Sequence, residues 1–197
     1  EDSIFTSYFA SVPHPQRSDP NTIGLRSDGR VKPNHAPYVK EWCESITKSK
    51  LSGVIFHDHL TDEFISSFSN DFVKFKKVNT PLEWSANDIR FRFYRDHLKS
   101  NKYNNIFMTD CCDVTVVQNP FQDKEYSPDS IFFGQDTQGS RLKDYNLCAM
   151  AGGFFDLHAQ VEWDDSILLQ ISNPPLLNAG VIGGSTEHIL PLLDSFC

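Results

Sequence analysis

Apolar and polar positions along the chain fall into short blocks that alternate between two periods. Residues 3–10 (SIFTSYFA) are rich in β-branched and aromatic side chains and predict a first strand. Tyr38, Val39, Trp42 and Ile46 recur at helical spacing, and residues 53–57 (GVIFH) form a second buried strand ended by Asp58. Thr61 then starts a short helix with Phe64, Ile65 and Phe68 on its inner face. A third strand is expected over 72–78, where Lys74, Lys76 and Lys77 mark exposure at one end. Ser85-Ala86-Asn87-Asp88 has the form of a capping box with Asp in place of Glu. It opens a helix to Lys99, with Ile89, Phe93 and Leu98 on one side. After a turn at 101–105, Ile106-Phe107-Met108-Thr109 fits a strand buried on both faces of a parallel sheet. Val114 to Val117 continues as a strand-like run that Asn119-Pro120 halts. Strand and helix alternate throughout, which predicts right-handed crossovers and a parallel sheet.

The second half is less regular. Residues 131–134 (IFFG) predict a strand, 140–153 an irregular region, and 167–171 a short helix or strand. Pro174-Pro175 leads into 176–184 (LLNAGVIGG), and 187–196 is helical in pattern. The Pro-rich stretch 11–37 holds Pro13, Pro15, Pro20, Pro33 and Pro37 with Gly24 and Gly29, and cannot be regular structure. A loop of that length, leaving the first strand's carboxyl end, is read as a flexible flap over a site or as a surface excursion without function. No internal repeat or second domain is evident. The expected fold is one α/β domain over residues 1–197, Rossmann-like, with a mostly parallel central sheet flanked by helices.

Composition narrows the function. With 197 residues the chain can bury a sizeable core, and no apolar run approaches the roughly 20 residues a membrane span needs. A net charge of -8 argues against an extended nucleic-acid interface. It leaves room for an anionic small molecule, because a metal supplies positive charge locally. Five cysteines (Cys43, Cys111, Cys112, Cys148 and Cys197) form neither a disulfide framework nor a metal-ligand spacing, and zinc is not supported. Unpaired thiols favour a cytoplasmic setting. The alternative is the lumen of the secretory pathway, after loss of an N-terminal signal or anchor. The chain opens Glu1-Asp2 and closes on a helical pattern without a capping signal, as one domain of a longer protein would.

Chemistry gathers around Asp110 and Asp113, two carboxylates at the end of a hydrophobic stem. Ligands in open α/β sheets bind outside the carboxyl ends of the strands. Carboxylates there are expensive to leave unpaired, and a divalent cation carrying a phosphorylated ligand would satisfy them. The plainer alternative is that one Asp caps the next element while the other meets solvent. Asn178-Ala179-Gly180 is a small-residue strand start where a ligand could approach the backbone. Thr6, Tyr8 and Asp58, at the ends of the first two strands, suit a nucleotide: a ring to stack on and acceptors for base or ribose. In a parallel sheet these points are expected to face one crevice. His57 and His59 flank Asp58; a polar strand terminus explains that run better than a metal site.

Residues 107–114 (FMTDCCDV), Asn119-Pro120-Phe121 and 177–184 (LNAGVIGG) together resemble the signature segments of GT-A-fold glycosyltransferases. The pattern is most similar to the D-x-x-D-V and L-N-S-G segments of collagen lysyl glycosyltransferase domains and related enzymes. The resemblance covers residues 85–185; earlier residues match only in being β-α-β. It implies a nucleotide-sugar donor, with uridine diphosphate as carrier, and Mn²⁺ or Mg²⁺ bridging the diphosphate. Asp110 and Asp113 match the motif's carboxylates. Arg90 resembles the basic residue that reaches the donor, with Arg92 and Arg95 as competitors or a solvated charge as the alternative. Asn178, Ala179 and Gly180 match the segment lining the sugar pocket. Two departures stand out: Ala179 replaces a Ser, and the late metal-ligating His has no counterpart but His188.

Breaking the bond between sugar and diphosphate builds negative charge on the leaving phosphate, which a divalent ion stabilises as a Lewis acid. Carboxylates are the hard ligands such an ion needs. An inverting enzyme also needs a base for the acceptor hydroxyl, of a glycan or another molecule. Asp136 is the preferred candidate, with Asp156, Asp164 and Asp165 also available. Two other readings stay open. One is a metal-dependent phosphohydrolase of the haloacid-dehalogenase type, with Asp164-Asp165 as its late acidic pair. The other is a non-catalytic domain that binds nucleotide sugar or glycan.

Overall fold

The computed structural model describes residues 1–13, 24–81, 84–135 and 177–197. Among these, strands and helices alternate as β1 (Asp2–Tyr8), α1 (Ala36–Ser49), β2 (Ser52–His57), α2 (Asp62–Phe68), β3 (Val73–Lys77), α3 (Ala86–Ser100) and β4 (Asn105–Thr109). A 3₁₀ turn (Pro120–Gln122), β5 (Ile131–Gln135), β6 (Leu177–Ser185) and α4 (Thr186–Phe196) follow. The sheet order is β3-β2-β1-β4-β6-β5. β1 pairs in parallel with β2 and β4, and β2 with β3, as the alternation of strand and helix predicts. The chain winds outward to β3, then crosses back to place β4 on the other side of β1. That reversal of strand order is the place where open α/β sheets bind ligands.

Strand alternation divides the core into two layers. Ile4 and Tyr8 of β1 pack with Ile55 of β2 against Tyr38, Val39, Trp42 and Ile46 of α1 and Phe64 of α2. Phe5 and Phe9 point the other way, with Val54 and Phe56, onto Ile89, Tyr94 and Leu98 of α3 and Ile189 and Leu193 of α4. α3 begins as its sequence predicts: the Ser85 hydroxyl accepts from the Asp88 amide at 3.3 Å and donates to its carboxylate at 2.5 Å. Thr61 caps α2 in the same way, accepting from Phe64 N–H.

The sheet is mostly parallel as expected, and the structure adds three details. β6 pairs with β4 antiparallel, from Asn105↔Ser185 to Thr109↔Val181. A parallel strand would have put the start of β6 at the opposite end of the sheet from Asp110, whereas the reversed direction brings it alongside. Residues 114–117 are not a strand but a segment laid on α1, where Val116 N–H donates to Ser45 Oγ and Val116 O accepts from Ser49 Oγ. The described part of the Pro-rich stretch, residues 11–13 and 24–37, makes contacts with the core. Leu25 bridges Val31, Val31 is buried, and the Tyr8 hydroxyl donates to Lys32 O while accepting from His35 N–H. Its last two residues, Ala36 and Pro37, already belong to α1, where proline in the first turn sacrifices no helical hydrogen bond.

The chain divides into two compact units, Glu1–Phe132 with Gly180–Cys197, and Phe133–Ala179. The first holds both core layers. Described residues of the second form the end of β5 and the start of β6. The expectations for residues 140–153 and 167–171, and for Cys148, Asp156, Asp164 and Asp165, lie outside the described residues. No helix among the described residues is long and apolar enough to cross a membrane.

Candidate functional site

A cleft of about 60 Å³ opens at the carboxyl ends of β1 and β4, walled by Ser7, Phe9, Tyr38, Arg90 and the turn from Asp110 to Asp113. Ala86 and Asn87, from the first turn of α3, complete its lining. The positive end of that helix and the Arg90 guanidinium make the wall favourable to anions. A larger hollow of about 460 Å³ lies elsewhere against Phe107, Val116, Tyr126 and Phe132, but neither Asp110 nor Asp113 lines it.

The carboxylate turn is built on a tied strand. Thr6 Oγ1 donates to Thr109 O, and Trp42 Nε1 donates to Thr109 Oγ1, each at 2.9 Å. The Asp110 amide donates to Gly180 O at 2.8 Å, which holds the turn against β6. These bonds connect β1, α1, β4 and β6 beneath one short loop.

Arg90 is 5% exposed and donates through Nη1 to Asp110 Oδ1. Its guanidinium also stands 4.9 Å from the centroid of the Phe91 ring. Burial would lower the arginine's pKa, but its surroundings, with the carboxylate of Asp110 as the charged partner, hold it above its usual value. Asp113 is exposed as a residue, yet crowding of its carboxyl raises its pKa, the like charge of Asp110 raises it further, and Arg90 pulls it back. Two interacting carboxylates with one arginine between turn and helix form an acid pair with too little positive charge.

The neighbouring thiols are held protonated by their surroundings. Burial, with the charges of Asp113 and Asp110 behind it, pushes Cys112 up to about 11; burial pushes Cys111 well above its ordinary value. Both are thiols at neutral pH. Tyr38 also keeps its proton, since burial and the nearby acidic groups raise its pKa. It presents the cleft with a neutral hydroxyl.

A metal's fit to this site rests on Asp110 and Asp113. No group of three His, Cys, Asp or Glu side chains is placed to hold a metal among the described residues. Two carboxylates do suffice for Mg²⁺-like ions, which draw their other ligands from water and substrate phosphates. The two carboxylates are the hard ligands a divalent ion of that kind takes, and Asp110 Oδ1 is engaged by Arg90.

The structure brings together Arg90, Asp110 and Asp113 at the cleft and Gly180 beside them, and it separates the other candidates. Thr6 is fully buried and braces Thr109. The Tyr8 hydroxyl is consumed by Lys32 O and His35 N–H, and its ring packs on Tyr38 at 4.6 Å, so it is no stacking platform for a base. Asp58 accepts from the amides of Ala10, Ser11 and His59 and from the hydroxyls of Ser11 and Thr80. It braces the ends of β1 and β2. Asn178 and Ala179 lie at the start of β6. Asp136 is outside the described residues. Of the competing arginines, Arg92 is exposed and Arg95 pairs with Asp96 and Asp194.

Ser7, Phe9, Asn87 and Tyr38 line the cleft without having been singled out from sequence. Alternation offered the signal for two of them: Arg90's helix packs on the strand face that carries Phe5 and Phe9, so Ser7 and Phe9 face it rather than Thr6 and Tyr8.

No protein-family model matches this chain, and no curated protein matches it either.

Proposed function

We propose that this domain is a metal-dependent glycosyltransferase of GT-A type, moving a sugar from a nucleotide-diphosphate donor to a hydroxyl acceptor such as a glycan. One observation carries the reading: Asp110, Asp113 and Arg90 converge on one cleft where the strand order reverses. That is an arrangement for an ion and a diphosphate together. Asp110 and Asp113 would hold Mn²⁺ or Mg²⁺, whose contribution is to neutralise charge on the departing phosphate. Arg90 would contact the diphosphate, which a guanidinium fork suits. Gly180 accepts from the Asp110 amide and so ties β6 to the acid pair's turn.

The cleft's volume of about 60 Å³ takes only the ion-and-phosphate end of such a donor. Ligand pockets usually measure about 300–1,000 Å³, so base and sugar would extend beyond the cleft walls. The phosphohydrolase alternative would use Asp113 as nucleophile, since Asp110 engages Arg90. The net charge of -8 continues to speak against nucleic acid as a partner.

Incubation with a panel of nucleotide sugars, with and without Mn²⁺, tests the reading. Metal-dependent release of UDP supports a transferase acting on water as acceptor. Phosphate release from a monoester supports the hydrolase, and tight UDP-sugar binding without turnover supports the binding domain. Absence of both binding and turnover with every donor removes the proposal.

A further inference from the structure

Asp110 already has a cation of its own. Arg90 reaches its Oδ1 from the second turn of α3, with side chains 6% and 34% exposed respectively. An arginine cannot shed its proton to make way for another cation. A divalent ion seeking both Asp110 and Asp113 must therefore enter against a fixed positive charge in a partly desolvated cleft. A diphosphate arriving without the ion meets the opposite obstacle, two carboxylates of its own sign. When both arrive, each partner of the existing pair gains a new one: the guanidinium turns to phosphate oxygens and Asp110 turns to the ion.

We infer that Arg90 is an internal counter-ion that holds Asp110 until ion and diphosphate bind together, so that neither binds well without the other. This rests on the donor-and-metal reading and specifies how the site is loaded. Arg90 is here a positioning residue whose exchange of partners couples the two ligands. The coupling is reciprocal: UDP must raise Mn²⁺ affinity by the factor that Mn²⁺ raises UDP affinity.

The test is titration calorimetry on the chain with MnCl₂ and UDP as probes. In the parent, UDP strengthens Mn²⁺ binding by about tenfold or more, within the usual range for coupled sites. In Arg90→Gln, Mn²⁺ alone binds about tenfold more tightly than in the parent, and the coupling factor shrinks. Arg90→Lys keeps a cation there and retains the weak affinity for Mn²⁺ alone. A measurement on the parent covers the case in which Arg90→Gln does not fold. The Arg90 guanidinium ¹⁵N resonance shifts when Mg²⁺ and UDP are added together and stays in place with either alone. Mn²⁺ binding that is equal in parent and Arg90→Gln, or a guanidinium shift on Mg²⁺ alone, overturns this inference and leaves the donor reading standing. No Mn²⁺ binding to the parent, with or without UDP, overturns both.

Discussion

The amide of Asp110 donates to the carbonyl of Gly180 at 2.8 Å, joining two motifs that lie far apart in the chain. Through that bond the carboxylate turn is held by the antiparallel strand β6 at Gly180. The cleft is thus assembled from β1, α3, β4 and its turn, with β6 as backing.

Asp113→Ala should separate binding from folding. Its carboxyl pKa is raised in the folded state, so the ionised form is disfavoured there and the group's favourable contribution is lost as pH rises through that pKa. Removing it at neutral pH should leave the melting temperature unchanged or higher. Mn²⁺-dependent UDP affinity should fall by more than the ~10–100-fold that loss of an outer-shell partner brings. Calorimetry and thermal melts check the two halves; parent-like UDP and Mn²⁺ binding would show that the pair holds no ion.

Asp58→Asn should do the reverse. Burial pushes the Asp58 pKa up, but hydrogen bonds from Ser11, the Ala10 amide and Thr80 together pull it below the usual 3.8. Its stabilisation is therefore present above the unfolded pKa and lost as pH falls through the folded value. An amide there turns donors toward donors, and the variant should lose about 2–3 kcal/mol. Urea unfolding should show that loss at neutral pH and a smaller decline under acid, with UDP affinity retained where the variant is folded.

Gly183 and Phe107 stand opposite each other in β6 and β4. A Cβ on Gly183 would lie 2.2 Å from the Phe107 ring, which itself packs among Phe121, Tyr126 and Phe132. Gly183→Ala should destabilise the fold by about 1–3 kcal/mol as an overpacking change. Adding Phe107→Leu should recover part of the loss, and a double-mutant cycle that proves additive would remove the explanation.

His97 should make stability sensitive to mild acid. It packs on Phe5 and Phe56, and burial, aided by the charge of Lys76, lowers its pKa from 6.5 to about 4. The folded state keeps the ring neutral while the unfolded chain takes up a proton. Unfolding free energy should therefore fall between about pH 6.5 and 4. His97→Gln should flatten that slope; an unchanged slope would assign it to other groups.

Much of the framework was legible along the chain because it depends on neighbours a few residues apart. The period-2 pattern of Ile4, Phe5, Tyr8 and Phe9 sends them to opposite core layers, and the Ser85-Asp88 pair starts α3 where expected. The stem ending at Thr109 places Asp110 and Asp113 at a strand terminus, whereas Arg90 was singled out from Arg92 and Arg95 only by the resemblance of the segment to glycosyltransferases.

The direction of β6 was not legible, because an apolar segment with small residues pairs either way and only its register with β4 decides. Nor could the chain reveal that Tyr8 and Asp58 spend their polar atoms on Lys32, His35 and the loop after β1. The sequence by itself determined most of the described elements, the cap of α3 and the acid pair at a strand's end, since those follow from local spacing and side-chain type. Only the tertiary structure decided that Arg90 meets Asp110 and that Gly180 stands behind it, since those distances come from packing between remote parts of the chain.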